Sequence, residues 1–141
     1  MDVGKIGIRE SVLNKPSALT PEEFDLVRTH VQIGLDILST IKPISHLLPA
    51  IRDHHEHWDG GGYPRAIRGE EISLGGRILH AADAYDALTS QRAWRDPLSS
   101  VDALRFLEER SGQMLDPRVF EALKSVVTRR KTLAFLEPEP E

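Results

Sequence analysis

The chain has 141 residues, no cysteine and a formal net charge of −4 at pH 7. This length suits one domain with its own core, and the lack of cysteine excludes disulfides, thiolate zinc sites and a cysteine nucleophile. The negative charge argues against binding of DNA or RNA polymers, which require clustered Lys and Arg, but it allows a cationic pocket for one small phosphate ligand.

Hydropathy gives no sign of a membrane or secretory protein. No apolar run approaches the roughly 20 residues that a membrane-spanning helix needs. The first residues, Met1 to Lys5, lack the hydrophobic region of a secretory signal. We therefore expect no membrane insertion and a cytoplasmic location.

The first long helix is predicted to begin after Thr20, a capping residue that is followed by Pro21 at the first helical position. Its apolar stripe continues at helical spacing through Phe24, Val27, Val31, Leu35 and Leu38. His30 lies beside this stripe, near the edge of the predicted core. Pro43 is expected to end the helix.

A second helix is predicted from about Leu48 to His57. Three successive glycines and a proline then favour a loop from Asp59 to Pro64. The segment from Arg65 to Ser73 is polar and is expected to form a short turn or ribbon.

Three further helices complete the predicted fold. The third contains Ile78 and Leu88, the fourth begins at Ser100 and ends near Gly112, and the fifth opens at Asp116-Pro117. The fold class is therefore all-α, a bundle of about five helices with a Gly-rich loop between helices. Residues 1–132 form the predicted domain, and the acidic Pro/Glu segment 133–141 is predicted to be disordered.

The segment from His54 to Asp59 concentrates imidazoles and carboxylates, which suit divalent metal ions. On a regular helix His54 and His55 would point about 100° apart, so they would serve adjacent ions, or one would meet a phosphate. The competing interpretation is an exposed polar helix end.

Charged residues elsewhere are weaker candidates. Asp83 and Asp86 lie one helical turn apart, and Asp83 is expected to be a buried carboxylate that needs a metal or a partner. Asp86 could instead cap the helix or pair with Arg92. Arg92 and Arg95 suit phosphate binding, or they only solvate a helix end.

Together these segments resemble the HD-GYP family, a branch of the HD-superfamily metal-dependent phosphohydrolases. The stretch from His54 to Pro64 matches the family signature HHExxDGxGYP at every fixed position. Other segments are similar to the family in the same order, over roughly residues 1 to 125: Asp2 to Ile8, Lys15-Pro16, Leu19 to Glu23, Thr29-His30, Ala82 to Ser90, and Arg92.

The resemblance implies a bacterial signalling enzyme that hydrolyses cyclic di-GMP to pGpG and GMP with two divalent metal ions, such as iron or manganese. It also implies control by an N-terminal sensory domain. The implied metal ligands are Asp2, His30, His54, His55 and Asp83. The implied catalytic residues are Asp2, as the bridging carboxylate, and Lys5. The implied substrate-binding residues are Lys5, Tyr63, Arg92 and Arg95.

Two supporting roles follow from the same signature. Glu56 is expected to orient one of the metal ligands from behind, and His57 is expected to face solvent.

The chain also departs from the family pattern. Met1 stands where the family carries the His of its His-Asp pair, and the helices that precede this His are absent, so we expect an N-terminally truncated domain with doubtful metal occupancy and activity. An alternative is a non-catalytic signalling module that binds nucleotide or a partner protein through the loop from Gly60 to Pro64. A third is a phosphohydrolase acting on another nucleotide. Exposed apolar surface at the truncation predicts a homodimer.

Overall fold

The computed structural model describes residues 1–92 and 95–136, and in these residues the chain is helical and contains no strand. The α-helices are α1 (Glu10–Leu13), α2 (Pro21–Arg28), α3 (His30–Ser39), α4 (Leu48–Asp53), α5 (Leu74–Thr89), α6 (Ser100–Glu108) and α7 (Pro117–Leu136). Three 3-10 helices span Asp2–Gly7, Lys42–Leu47 and Gly69–Glu71. The predicted all-α class is confirmed.

The predicted first helix is interrupted at Thr29, so α2 and α3 replace one continuous helix. Its start is as predicted: the Thr20 hydroxyl accepts a hydrogen bond from the Glu23 N–H, and the Glu23 carboxylate accepts one from the Thr20 N–H. At the break, the Thr29 hydroxyl and N–H both donate to the Leu26 carbonyl, at 2.7 and 3.2 Å. This tighter turn ends α2, but Thr29 keeps helical backbone angles, so the apolar periodicity continues across the break.

The predicted second helix also ends earlier, at Asp53 instead of about His57. The N–H of Glu56 bonds to the Asp53 carbonyl at 2.9 Å, which is a turn rather than a helical repeat. The short α1 and the break at Thr29 each add one helix, which explains why the described residues contain seven α-helices where about five were expected.

Side-chain caps define the starts of the last three helices. Ser73 caps α5, Ser99 caps α6 one residue before the predicted Ser100, and an Asp116 oxygen accepts the Arg118 N–H at 2.8 Å as α7 begins. Helix α7 runs to Leu136, because no glycine or proline interrupts it, and so it includes residues 133–136 of the segment expected to be disordered. The remainder of that segment, 137–141, lies outside the described residues.

Helices α5, α6 and α7 enclose a hydrophobic core formed by Ala81, Leu88, Ala103, Leu107, Leu115 and Phe120. Helix α4 packs on α5, and α3 packs on α4. The 3-10 segment Asp2–Gly7 lies against α3. The chain start is therefore held beside the end of α4, where the His-rich motif begins. Across the described residues, no helix combines the length and hydrophobicity needed to cross a membrane.

The contact between the 3-10 segment and α3 requires glycine at position 4. A Cβ atom at Gly4 would lie 1.9 Å from the His30 carbonyl oxygen and 2.5 Å from the Gly34 nitrogen. Neither backbone atom can move aside without disturbing α3. Gly4 thus allows the close approach that carries Asp2 to the side chain of His30.

Candidate metal centre

Four of the predicted ligands meet at one point. Asp2, His30, His54 and His55 each offer one ligand atom, and these atoms all lie within 4.8 Å of one another. An Asp2 carboxylate oxygen is 3.4 Å from His30 Nε2 and 3.8 Å from His54 Nε2. Segments that are distant along the chain therefore converge on a volume of the size that one ion and its ligands occupy.

The two fully buried histidines are oriented by the ends of helices. His30 Nδ1 bonds to the Val27 carbonyl at 2.6 Å, and His54 Nδ1 bonds to the Ile51 carbonyl at 2.5 Å. These carbonyls belong to the last turns of α2 and α4, where intrahelical donors are missing. A carbonyl only accepts, so Nδ1 carries the proton in both rings. Nε2 is then the nitrogen of each ring that remains for a metal ion, and it faces Asp2.

Both Nε2 atoms and the facing Asp2 oxygen are buried and lack a hydrogen-bond partner among the described residues. Buried polar atoms are nearly always satisfied, so such a group of orphans needs an explanation. A divalent cation would satisfy all three at once, and a histidine that gives its other N–H to a backbone carbonyl has the arrangement usual for a metal ligand. The donor set, with nitrogen and carboxylate oxygen, fits iron, manganese or zinc.

The electrostatics of the cluster agree with this donor set. The neighbouring His30 and His54 hold the pKa of Asp2 well below its usual range, so the carboxylate is ionised. Burial, together with the nearby His54 and His30, lowers the pKa of His55 to about 3, so this imidazole is neutral near pH 7. The cluster thus offers one negative charge, on Asp2, and an uncharged imidazole, that of His55.

Two predicted residues flank the cluster. Lys5 Nζ lies 3.1 Å from the second oxygen of Asp2, and both side chains are partly exposed. Asp83 is half-buried on α5 and does not belong to the group of atoms within 4.8 Å. Burial raises the pKa of Asp83, and so does the negative charge of Asp2.

The Gly-rich loop turns back over the motif and brings Tyr63 onto His55. Their rings stack with centroids 4.7 Å apart and planes 26° apart, and the Tyr63 N–H donates to the His55 carbonyl at 3.1 Å. A Cβ at Gly62 would lie 2.2 Å from the His57 nitrogen, so the turn requires glycine there. Burial raises the pKa of Tyr63 to about 12, which keeps its hydroxyl protonated as a hydrogen-bond donor.

The two predicted arginines differ in their surroundings. Arg92 is exposed, and its charge acts on Asp83, where it opposes the rise in pKa. Arg95 donates from its guanidinium to the Ala87 carbonyl at 2.5 Å, and its backbone pairs with that of Arg92. Arg95 is therefore engaged with the end of α5, whereas the charge of Arg92 acts on Asp83.

A cavity of about 540 Å³ opens beside Lys5. Its wall is mainly apolar, with Val12, Leu13 and Leu19, and it includes Lys15, which pairs with Glu23 at 2.5 Å. This volume lies within the range of small-molecule sites. A flat heterocycle could enter it while a phosphate group remains at Lys5.

Several residues of the site were not found from the sequence. Asp53 is fully buried and binds Arg52, Arg65 and the Ser73 N–H. The helix dipole disfavours an acidic residue in the last turn of a helix. The position of Asp53 near the end of a predicted helix was therefore the one sequence signal that it has a specific role. His80 is buried, and its Nδ1 bonds to the His54 carbonyl at 2.9 Å.

The other two motif residues make contacts that the sequence did not predict, and the role of Glu56 in orienting a ligand stays a prediction. Glu56, expected to orient a ligand, is buried and accepts the Arg65 N–H at 2.7 Å, so it holds the loop. His57, expected to face solvent, is only partly exposed, and its ring centroid lies 5.3 Å from that of His80.

Comparison with known proteins gives a consistent set of matches. The sequence model of the HD domain family matches residues 1–119. A cyclic di-GMP phosphodiesterase of Thermotoga maritima is 45% identical over 123 residues, which is 86% of this chain and 33% of that protein. A cyclic di-GMP phosphodiesterase of Vibrio cholerae is 42% identical over 132 residues, 89% of this chain and 27% of that protein.

Proteins named as specific for cyclic GMP-AMP also match. A 3'3'-cGAMP-specific phosphodiesterase of Vibrio cholerae is 38% identical over 126 residues, 89% of this chain and 27% of that protein. The crystal structure of a cyclic GMP-AMP-specific phosphodiesterase from the same organism shares the fold, with a TM-score of 0.64 and 22% identity over 96% of this chain and 35% of that chain. The chain thus spans about a third or less of the length of these curated relatives.

Proposed function

We propose that this chain, which belongs to the HD domain family and to its HD-GYP branch, is the metal-binding part of a cyclic-dinucleotide phosphodiesterase. The observation that carries the proposal is the convergence of Asp2, His30, His54 and His55, with three buried ligand atoms left unsatisfied, next to Lys5. The signature from His54 to Pro64 supports the same conclusion.

In this proposal Asp2, His30, His54 and His55 would hold a divalent ion, and Asp83 would contribute a ligand to a second one. When bound, such ions act as Lewis acids on a phosphoryl oxygen and make a water molecule acidic enough to serve as a nucleophile. Iron or manganese suits this mixture of imidazole and carboxylate.

The chain's own residues have separate tasks. Lys5, already 3.1 Å from Asp2, would neutralise charge on the phosphoryl oxygens as the phosphodiester bond breaks. Arg92 would hold a second phosphate group through its planar donors, because a cyclic dinucleotide carries two phosphates. Tyr63 would border the bound nucleotide and keep water away from His55. Arg95 would assist substrate binding only if it left the Ala87 carbonyl.

Cyclic di-GMP is the proposed substrate, since relatives with the highest identity reported above carry that name. A second candidate is 3'3'-cGAMP, which is named for another relative at 38% identity. Both molecules are purine cyclic dinucleotides, and one of their bases could occupy the cavity beside Lys5. A cytoplasmic site of action belongs to this proposal, because these molecules are second messengers inside bacteria.

Association with a second copy or another signalling protein stays a prediction. Ile6 is 83% exposed and Ile41 is 45% exposed, so apolar side chains that a partner would cover are present near the 3-10 segment and α3. Light scattering of the purified chain over a range of concentrations measures whether a dimer forms.

The proposal is tested by loading the chain with Mn²⁺ or Fe²⁺ without oxygen and adding cyclic di-GMP, 3'3'-cGAMP or linear pGpG. We expect metal-dependent cleavage of cyclic di-GMP and slower cleavage of 3'3'-cGAMP and linear pGpG. Mass spectrometry of the products measures each reaction. Faster cleavage of 3'3'-cGAMP would reassign the substrate. If the metal-loaded chain binds a nucleotide tightly and yields no product, hydrolysis is contradicted. That outcome would favour the non-catalytic signalling module.

A further inference from the structure

Asp53, the residue before His54 and His55, is a buried carboxylate that accepts three hydrogen bonds. One carboxylate oxygen accepts from Arg52 Nε at 3.0 Å and from Arg65 Nη2 at 2.8 Å. The other accepts from the Ser73 N–H at 3.0 Å. Its exposure is 0%. A buried carboxylate is costly unless it is paired in this way, so its position at the end of α4 calls for a role.

Arg65 is held at two points by carboxylates of the His-rich segment. Its guanidinium binds Asp53, and its backbone N–H donates to Glu56 at 2.7 Å. The Glu56 carboxylate is buried as well. The residue that follows Tyr63-Pro64 is therefore fixed by both its main chain and its side chain.

The attachment of Arg65 lies close to the Tyr63 ring in the chain. Tyr63 is two residues before Arg65, and its ring lies on His55, a member of the metal cluster. The upstream end of the turn is held by the bond from the Tyr63 N–H to the His55 carbonyl. Arg65 holds the downstream end through its guanidinium and through its N–H. Loss of the guanidinium contact would leave that end held by the N–H bond to Glu56 alone, and the ring would shift relative to His55.

We propose that Asp53 is a positioning residue that acts through Arg65 to keep Tyr63 stacked on His55. Its catalytic consequence rests on the proposed function, since Tyr63 and His55 would then border the nucleotide and the metal. The structural part, that Asp53 sets the position of the Tyr63 ring, does not depend on any reaction.

Arg52 provides a matched control. It binds the same Asp53 oxygen as Arg65, and the two side chains are similarly exposed, at 39% and 40%. Arg52 precedes Asp53 on α4, and among the described residues its ion pair is with Asp53 and not with the loop, so Arg52→Met removes a charge from Asp53 and leaves both attachments of Arg65 in place. Arg65→Met removes a charge from the same oxygen and also removes one of the two attachments of the turn.

The experiment compares Arg52→Met, Arg65→Met and Asp53→Asn in the full chain labelled with 3-fluorotyrosine. The chain has two tyrosines, and Tyr85→Phe assigns the Tyr63 fluorine signal. We expect Arg65→Met and Asp53→Asn to shift the Tyr63 signal towards that of a solvated ring, and Arg52→Met to leave it in place. Steady-state kinetics should show kcat/KM lowered about 10- to 100-fold in Arg65→Met and less than about twofold in Arg52→Met.

Equal fluorine spectra for Arg52→Met and Arg65→Met would overturn the proposal, because both would then act only by removing charge. Arg65→Lys serves if Arg65→Met does not fold: it keeps the charge but has one donor centre, so an intermediate shift is expected, and an unchanged signal would count against the proposal. If wild-type chain cleaves no nucleotide, the proposed function fails, while the fluorine comparison still decides whether Asp53 positions Tyr63.

Discussion

The side chains of His30 and His54 use their two ring nitrogens for different purposes. Each Nδ1–H satisfies a carbonyl at the end of a helix, and each Nε2 is left facing Asp2. The proton on Nδ1 fixes the tautomer, so the lone pair on Nε2 is aimed before any ion arrives. The arrangement reduces the conformational cost of binding a metal.

The first prediction concerns His54. Replacement by Gln should weaken Mn²⁺ binding at least about 100-fold, because the buried Nε2 ligand is lost. Isothermal titration calorimetry measures the change. His46→Gln is the matched control: His46 is exposed on the 3-10 helix Lys42–Leu47, and its replacement should leave the affinity within about twofold. Similar losses in both variants would refute the assignment of His54 as a ligand.

Sequence alone predicts which residue types meet, and it predicts less well how they are oriented. His54 and His55 were expected to diverge by the angle of a regular helix. Because α4 ends at Asp53, their ring centroids lie 4.0 Å apart and both rings join one cluster. The early end of the helix depends on the Ile51 carbonyl accepting from His54, a contact that hydrophobic periodicity does not encode.

At the scale of the elements, the 3-10 segment Asp2–Gly7 decides whether the centre can form. It carries both Asp2 and Lys5, and it packs on α3 through Gly4. The distance from the Asp2 carboxylate to His30 Nε2 is therefore set by the contact between two backbones.

The second prediction follows from this contact. Gly4→Ala should displace the segment and lower Mn²⁺ affinity at least about tenfold, because the new Cβ overlaps the His30 carbonyl. Calorimetry measures the affinity, and circular dichroism verifies that the helices remain. In the control Gly7→Ala, the added Cβ meets only the flexible side chain of Ile33, so a small effect is expected. If Gly4→Ala binds Mn²⁺ as wild type does, the segment does not position Asp2.

Helix starts were more predictable than helix ends. The pairs Thr20-Pro21 and Asp116-Pro117 predict the starts of α2 and α7. The Thr20 and Asp116 side chains cap the first turn through hydrogen bonds to residues two or three positions later. The break at Thr29 depends on a hydroxyl bonding to Leu26, while the apolar stripe continues through it. The four-residue α1 is too short to produce a periodic pattern.

At the scale of the whole molecule, a buried ion pair joins α5 to the start of α7. Arg77 Nη1 lies 2.7 Å from an Asp116 carboxylate oxygen, and the Asp116 side chain is 1% exposed. Burial alone would raise the pKa of Asp116, but the hydrogen bonds from Arg77 and from the Arg118 N–H lower it below its ordinary value. Asp116 therefore stays charged in the folded state under conditions that protonate it in the unfolded chain.

The third prediction is a dependence of stability on pH. With its folded pKa below the unfolded value of about 3.9, Asp116 contributes its full stabilisation above that value and loses it as pH falls through the folded pKa. Asp116→Asn should lower the free energy of unfolding by about 3 kcal/mol at pH 7 and by less near pH 3, measured by urea denaturation.

A control at the same position of the fold uses Arg118. Its side chain is 67% exposed, pairs with Glu70 at 2.7 Å and lies farther from Asp116, at 3.7 Å, so Arg118→Met should cost less than about 1 kcal/mol at pH 7. A loss in Asp116→Asn that does not change between pH 7 and pH 3 would show that the ionised form of Asp116 is not what stabilises the fold.

The separation of Asp2, His30 and the adjacent pair His54-His55 along the chain has one more consequence. An ion held by all of them would tie three stretches of polypeptide together at a single point, as a covalent cross-link does. In the unfolded chain these stretches move independently of one another. Bringing them together costs conformational entropy, and this cost rises slowly with the length of the loops that are closed. The bound ion would therefore raise the free energy of unfolding, and removing it with a chelator would lower that free energy.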